Sequence, residues 1–237
     1  MSIVMDRRRC LAEALGAGVL VATVVGSGIM ATELTDDVGV QLLLKAVATV
    51  LVLGVLICVL GPISGAHFNP VVTLIELARG EMARAEALAY LALQVIGAIA
   101  GAMLADIMFG LPAWSISDRM RSGWGIWLGE ALATAGLVLV IGVLTRTGRG
   151  RLGALVVPAW IGAAYFFTSS TSFANPAVTV GRAFSDSFAG IAPSNVAPFI
   201  AFQLLGALLG AVLTQVLCPR IHPPPLDLPE AVHDNAR

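Results

Sequence analysis

Two Asn-Pro pairs, Asn69-Pro70 and Asn175-Pro176, carry the most pointed chemistry in the chain. Proline suits the first turn of a helix, where its missing N–H would go unsatisfied anyway, and the Asn before it can act as N-cap. A capping carboxamide still has N–H donors to offer the oxygen of a neutral molecule. Each helix that starts at its Asn carries the equivalent of about +0.5 charge at that end. The pair therefore predicts a positive spot that repels cations and hydronium. No Cys/His metal cluster, Ser/His pair or paired-carboxylate motif stands out, so no enzyme, no metal and no other cofactor is expected.

Two carboxylates need a different explanation. Glu13 and Glu130 lie inside apolar runs, and an intramembrane carboxylate is costly unless it has a partner. Asp106 and Glu76 are expected near the interfaces, where none is required. Cys10, Cys58 and Cys218 are odd in number and far apart, which argues for inert thiols over a disulfide scaffold.

The elements that hold these residues are membrane spans. Of 237 residues 57% are hydrophobic and only 12% charged, against about 25% charged in a soluble domain. The net charge of −1 shows no basic stripe, so nucleic acid is not an expected partner. Apolar stretches run over 10–30, 42–60, 87–109, 125–144, 152–167 and 196–217, six candidate spans. The first follows Arg7, Arg8 and Arg9 but is too long for a signal peptide and contains Glu13. Gly61, Pro62, Ser64 and Gly65 break the second span, and the apolar piece after Asn69 is only about ten residues long; a similar piece runs over 175–184. Such pieces cannot cross a core of about 30 Å and read as re-entrant half-helices. With the N-terminus inside, ten of fourteen basic residues fall on the cytoplasmic side. The chain thus divides into a cytoplasmic N-terminus (1–9), one channel-sized domain (10–218) and a proline-rich tail (219–237) expected to be disordered in the cytoplasm.

The domain reads as two copies, 10–110 and 124–218. Aligning 91–106 with 200–215 gives seven identities in sixteen positions, pairing Gln94 with Gln203, Gly97 with Gly206 and Gly101 with Gly210. Glu13 pairs with Glu130, and Asn69-Pro70 with Asn175-Pro176, in the same order. Each copy holds an odd number of spans, so the second lies upside down relative to the first, the inverted-repeat plan in which broken helices meet at the midplane. The glycine pairs are small-xxx-small motifs that let helices approach closely. The fold class is all-α integral membrane, with six transmembrane helices and two re-entrant half-helices.

The segments Ser64-Gly-Ala-His67-Phe-Asn69-Pro70-Val71 and Ser172-Phe-Ala-Asn175-Pro176-Ala177 resemble the paired Asn-Pro-Ala boxes of the aquaporin, or major intrinsic protein, family, and the likeness runs from Glu13 to about Gln215. It implies a channel inside each protomer of a homotetramer in the lipid bilayer of the inner membrane, with both termini cytoplasmic. By the same resemblance Glu13 and Glu130 accept hydrogen bonds from the re-entrant backbone, and His67 stands at the cytoplasmic constriction. Val71 replaces the usual Ala and adds bulk without removing a donor.

The departure lies in the selectivity filter. The family usually follows its second box with Arg, and here that residue is Val178. Counting from the boxes as the resemblance suggests, the other filter positions fall at Thr49, Ala163 and Ser172, none aromatic and none large. That implies a wide filter passing small neutral solutes besides water: glycerol, urea, ammonia, or uncharged metalloid and arsenical species. Arg182, one turn after Val178, could reach back as a displaced collar at the pore mouth, or could snorkel or pair with Asp186. A water-selective channel and, in another class, a coupled secondary transporter remain as alternatives; the transporter would need a titratable or ion-binding midplane, whereas the motifs there are neutral amides.

Overall fold

A computed structural model gives the structure of residues 6–219. Apart from Pro219, the expected cytoplasmic tail lies outside these described residues. Six long helices have the length and hydropathy of membrane spans: α1 (Arg7–Leu34), α2 (Val38–Ser64), α4 (Arg84–Met108), α5 (Trp124–Arg146), α6 (Gly153–Phe167, preceded by a 3₁₀ turn at Gly150–Leu152) and α8 (Pro193–Leu217). At about 1.5 Å per residue the five longer ones, of 23 to 28 residues, rise about 35 to 42 Å. Their outer faces are apolar, with Leu51, Leu88, Leu155 and Leu208 all more than 60% exposed. A bilayer, not water, is the solvent such a surface suits.

Between α2 and α4 lies the half-helix α3 (Pro70–Ala78), and between α6 and α8 lies α7 (Pro176–Gly181), continued by a 3₁₀ turn at Arg182–Phe184. Both begin at the proline of an Asn-Pro pair, as the capping argument predicts. One expected boundary moves. Pro62 is carried inside the last turns of α2, and the helix stops only at Gly65, whose φ of 90° is left-handed and suits glycine.

The two copies pack alike. α1 lies along α4, and α5 along α8. A Cβ on Gly97 or Gly101 would sit 2.1 Å from the carbonyl oxygen of Ala14 or Gly18, and one on Gly206 or Gly210 would sit 2.2 or 2.3 Å from that of Ala131 or Ala135. The glycines are there because the backbones touch. Around these crossings the core is built from small residues and valines, including Ala17, Val21, Val25, Ala98 and Ala102. Val71 is fully buried against Val138 and Ala207, so α5 and α8 absorb its extra bulk.

Asp106, expected to need no partner, has one. It is 1% exposed and accepts a hydrogen bond from Ser185 Oγ at 2.7 Å. Its place is a tie between α4 and the turn after α7, inside the protein.

Candidate functional site

The half-helices meet through their Asn residues. Asn69 Oδ1 accepts from Val71 N at 3.0 Å, and Asn175 Oδ1 accepts from Ala177 N at 2.9 Å and Val178 N at 3.2 Å. These are N-caps, in which the side-chain oxygen satisfies a helix-terminal donor. The amide nitrogens then cross: Asn69 Nδ2 donates to Ala174 O and Asn175 Nδ2 to Phe68 O, each at 2.8 Å. A carboxamide nitrogen has two hydrogens, and the cross-tie takes one from each Asn. Both Asn residues line the central cavity, where the second hydrogen has a neutral solute's oxygen within its class of partners.

The loops entering the half-helices are strained in the same pattern. Ala66 and Phe68, three and one residues before Asn69, have φ of 52° and 47°; Ser172 and Ala174, at the matching places before Asn175, have 52° and 48°. Left-handed backbone in non-glycine residues costs about 1 kcal/mol or more each and persists only where the surroundings enforce it. Here the enforcers are the buried carboxylates. Glu13 accepts from Ser64 Oγ (2.7 Å), His67 N (3.0 Å), Phe68 N (2.7 Å) and Gln94 Nε2 (2.7 Å). Glu130 accepts from Phe173 N (2.8 Å), Ala174 N (2.9 Å) and Gln203 Nε2 (2.6 Å). Four donors on one carboxyl group is the pattern of an acceptor-only carboxylate.

Gln94 and Gln203 complete the symmetry. Each also donates to a half-helix threonine, Thr73 Oγ1 at 3.0 Å and Thr179 Oγ1 at 2.9 Å. The repeat alignment paired these glutamines but gave no hint of what they hold. His67 lines the cavity, with Nδ1 3.1 Å from Thr73 Oγ1 and its ring edge-on to Tyr90.

The cavity has a volume of about 360 Å³ and runs from Glu76 and Thr145 past His67 and both Asn residues to Thr49, Ser172, Val178 and Arg182. Of the four expected filter positions, Thr49, Ser172 and Val178 line it and are at most 5% exposed. Ala163 does not. It is exposed on the far side of α6, while Ile161 and Tyr165 face the cavity. A shift of two residues turns a helix by about 200°, so counting back from Asn175 lands on the wrong face when the connecting loop differs in length. The expectation that nothing aromatic lines this region falls with it: Tyr165 is 3% exposed, and its hydroxyl lies 3.2 Å from Thr49 Oγ1.

Arg182 is 1% exposed and lines the cavity. Its Nε donates to Ala189 O, its guanidinium lies 3.4 Å from the Phe173 ring centroid, and its Nη2 has no hydrogen-bond partner. It is not paired with Asp186, whose Oδ1 instead accepts from Asp118 N at 3.2 Å. Among the described residues the ion pairs are Arg9–Glu86 and Arg79–Glu76. Lys45 lies within the apolar stretch 42–60, where a lone cation in a span is itself a signal. Lys45 is 1% exposed, with Nζ 5.2 Å from the Tyr165 ring centroid.

Residues 1–174 match the family described as Major intrinsic protein. The chain is 47% identical over 216 residues to the aquaglyceroporin AqpS of Rhizobium meliloti, covering 91% of this chain and 92% of that one. It is 31% identical over 224 residues to the lens fiber major intrinsic protein of Gallus gallus, covering 90% and 82%. Its fold resembles the X-ray structure of the aquaglyceroporin from Plasmodium falciparum, with a TM-score of 0.64 at 21% identity over 90% of this chain and 97% of that one. With the crossed Asn-Pro boxes and the six spans, these matches place the chain in the major intrinsic protein family of membrane channels.

Proposed function

We propose that the protein is a passive channel for water and small uncharged solutes such as glycerol, urea, ammonia and neutral metalloid or arsenical species. The observation that carries this reading is the lining of the outer cavity, where Val178 stands directly after the second Asn-Pro-Ala box with Thr49 and Ser172 beside it. A short aliphatic side chain there leaves more width than a guanidinium would, and pore width with lining donors sets selectivity. A 47% identical relative named an aquaglyceroporin points the same way. Tyr165 joins this filter in place of Ala163, and Arg182 acts as a displaced collar one turn beyond Val178.

Asn69 and Asn175 lend a passing oxygen two donors at once, which interrupts the hydrogen-bonded chain a proton would need. The half-helix dipoles oppose cations at the same point. His67 narrows the cytoplasmic end. The protomers assemble as a homotetramer in the inner membrane with both termini cytoplasmic, the orientation that the arginine distribution favours.

Stopped-flow light scattering of proteoliposomes tests the reading. Glycerol and urea fluxes are expected to exceed those of empty liposomes, to rise in proportion to the gradient, and to ignore imposed proton or sodium gradients. Saturable uptake driven by an ion gradient would assign the chain to coupled transport instead.

A further inference from the structure

All four basic residues that the charge distribution leaves off the cytoplasmic side, Lys45, Arg119, Arg121 and Arg182, gather beside one end of the cavity, where Arg182, Tyr165 and Phe173 line it. They share two aromatic rings. Lys45 Nζ and Arg119 Cζ lie 5.4 and 4.8 Å from the Phe188 centroid, while Arg121 Cζ and Arg182 Cζ lie 5.3 and 3.4 Å from the Phe173 centroid. Three consecutive carbonyls serve the guanidinium groups: Phe188 O and Gly190 O accept from Arg121 at 3.1 and 2.7 Å, and Ala189 O accepts from Arg182. Burial and the neighbouring Arg119 bring Arg121 down to about 10, so it stays charged at neutral pH.

None of the four has a carboxylate within ion-pair distance among the described residues. Of the acids nearby, Glu130 is taken up by Phe173 N, Ala174 N and Gln203 Nε2, Asp186 accepts from the Asp118 backbone, and Asp106 accepts from Ser185 through one oxygen while its Oδ2 has no hydrogen-bond partner. Lys45 Nζ lies over the ring faces of Tyr165 and Phe188, and Arg182 Nη2 is an orphaned donor. Four cations gathered without an ion-paired carboxylate repel one another, and a bound anion would relieve that repulsion.

We propose that this mouth is a binding site for a small monovalent anion, a halide, nitrate or small carboxylate, held between Lys45 and Arg182 with Arg119 and Arg121 supplying the attracting field. The two inner cations are each 1% exposed, which restricts the site to an ion able to shed most of its water. An anion seated there lies against Tyr165 and the Val178 end of the pathway, so external anions slow the flux of neutral solutes. The flux consequence rests on the channel reading above; the binding does not.

Two measurements separate them. Chloride-35 NMR of the purified protein in detergent is expected to show excess line broadening that nitrate displaces, that Lys45→Arg retains, and that Lys45→Met reduces at least threefold. Arg119→Gln, an exposed loop change, is expected to weaken binding about twofold, which keeps the test open should Lys45→Met fail to fold. In proteoliposomes, replacing external gluconate by nitrate at constant ionic strength is expected to slow glycerol flux at least twofold in the wild type and to leave Lys45→Met unaffected. Glycerol flux with no excess broadening and no anion dependence overturns the anion site. Broadening without glycerol flux leaves the site standing and contradicts the channel reading.

Discussion

Asn69 and Asn175 each donate to the carbonyl that precedes the other, Ala174 O and Phe68 O, at the same 2.8 Å. Each side chain caps its own half-helix and ties it to the opposite loop, so the two copies of the repeat hold each other at the midplane. Replacing either Asn by Ala removes an N-cap, about 1 kcal/mol, and a buried cross-tie, about 1 kcal/mol more. Asn69→Ala and Asn175→Ala are expected to lower the apparent melting temperature in detergent to similar extents. An unchanged melting temperature in both would remove the cross-tie from the account.

The buried carboxylates hold strained loops. In Glu130→Gln one acceptor oxygen becomes an NH₂ group aimed at a backbone N–H or at Gln203, and a buried donor left unpaired costs about 1–3 kcal/mol. Glu130→Gln is expected to destabilise the protein by that order and to reduce solute flux as the loop over 171–174 relaxes. Glu130→Asp, which keeps two acceptors on a shorter stem, is expected to lose less. Equal stability of Glu130→Gln and wild type in a detergent melt would show that the carboxylate does not enforce the loop.

Helix contact through glycine makes the crossings intolerant of a single methyl group. Gly101→Ala and Gly210→Ala put a Cβ about 2.1 and 2.3 Å from backbone carbonyl oxygens, so the helices must part. Overpacking of this kind costs about 1–3 kcal/mol, and both variants are expected to melt earlier. Gly148→Ala has open space around its Cβ but a φ of 68°, so its loss is expected to come from backbone strain alone and to be smaller.

Tyr165 tests the proposed filter. Tyr165→Phe removes only the hydroxyl near Thr49, whereas Tyr165→Ala empties a side chain's width from the lining. Tyr165→Ala is expected to raise the flux of bulkier polyols relative to glycerol, with Tyr165→Phe close to wild type. Ala163→Leu, on the exposed face of α6, is expected to change neither ratio. A large flux change in Ala163→Leu with none in Tyr165→Ala would restore the original assignment.

The parts of this structure that the sequence disclosed are those written in local or repeated patterns. Spans follow from hydropathy, the half-helices from Asn-Pro and their short apolar runs, and the helix crossings from glycines at four-residue spacing. The buried Glu13 and Glu130 stood out because an acid in an apolar run demands a partner. Tyr165 was missed because its place depends on loop length, which a count cannot supply. The partner of Asp106 was not legible because Ser185 is far away in the chain. The mouth cations gather through the folding of three separate segments onto Phe173 and Phe188, and no spacing in the sequence announces that meeting.

With Val178 following the second Asn-Pro-Ala box, the outer pathway is expected to be wide. Glycerol and water permeability of proteoliposomes, measured by stopped-flow for wild type and Val178→Arg at matched protein density, tests it most directly. Glycerol flux is expected to stand well above that of empty liposomes in the wild type and to fall at least tenfold in Val178→Arg, while water flux falls far less. Wild-type liposomes that pass water but no glycerol, or glycerol flux that Val178→Arg leaves unchanged, would contradict it.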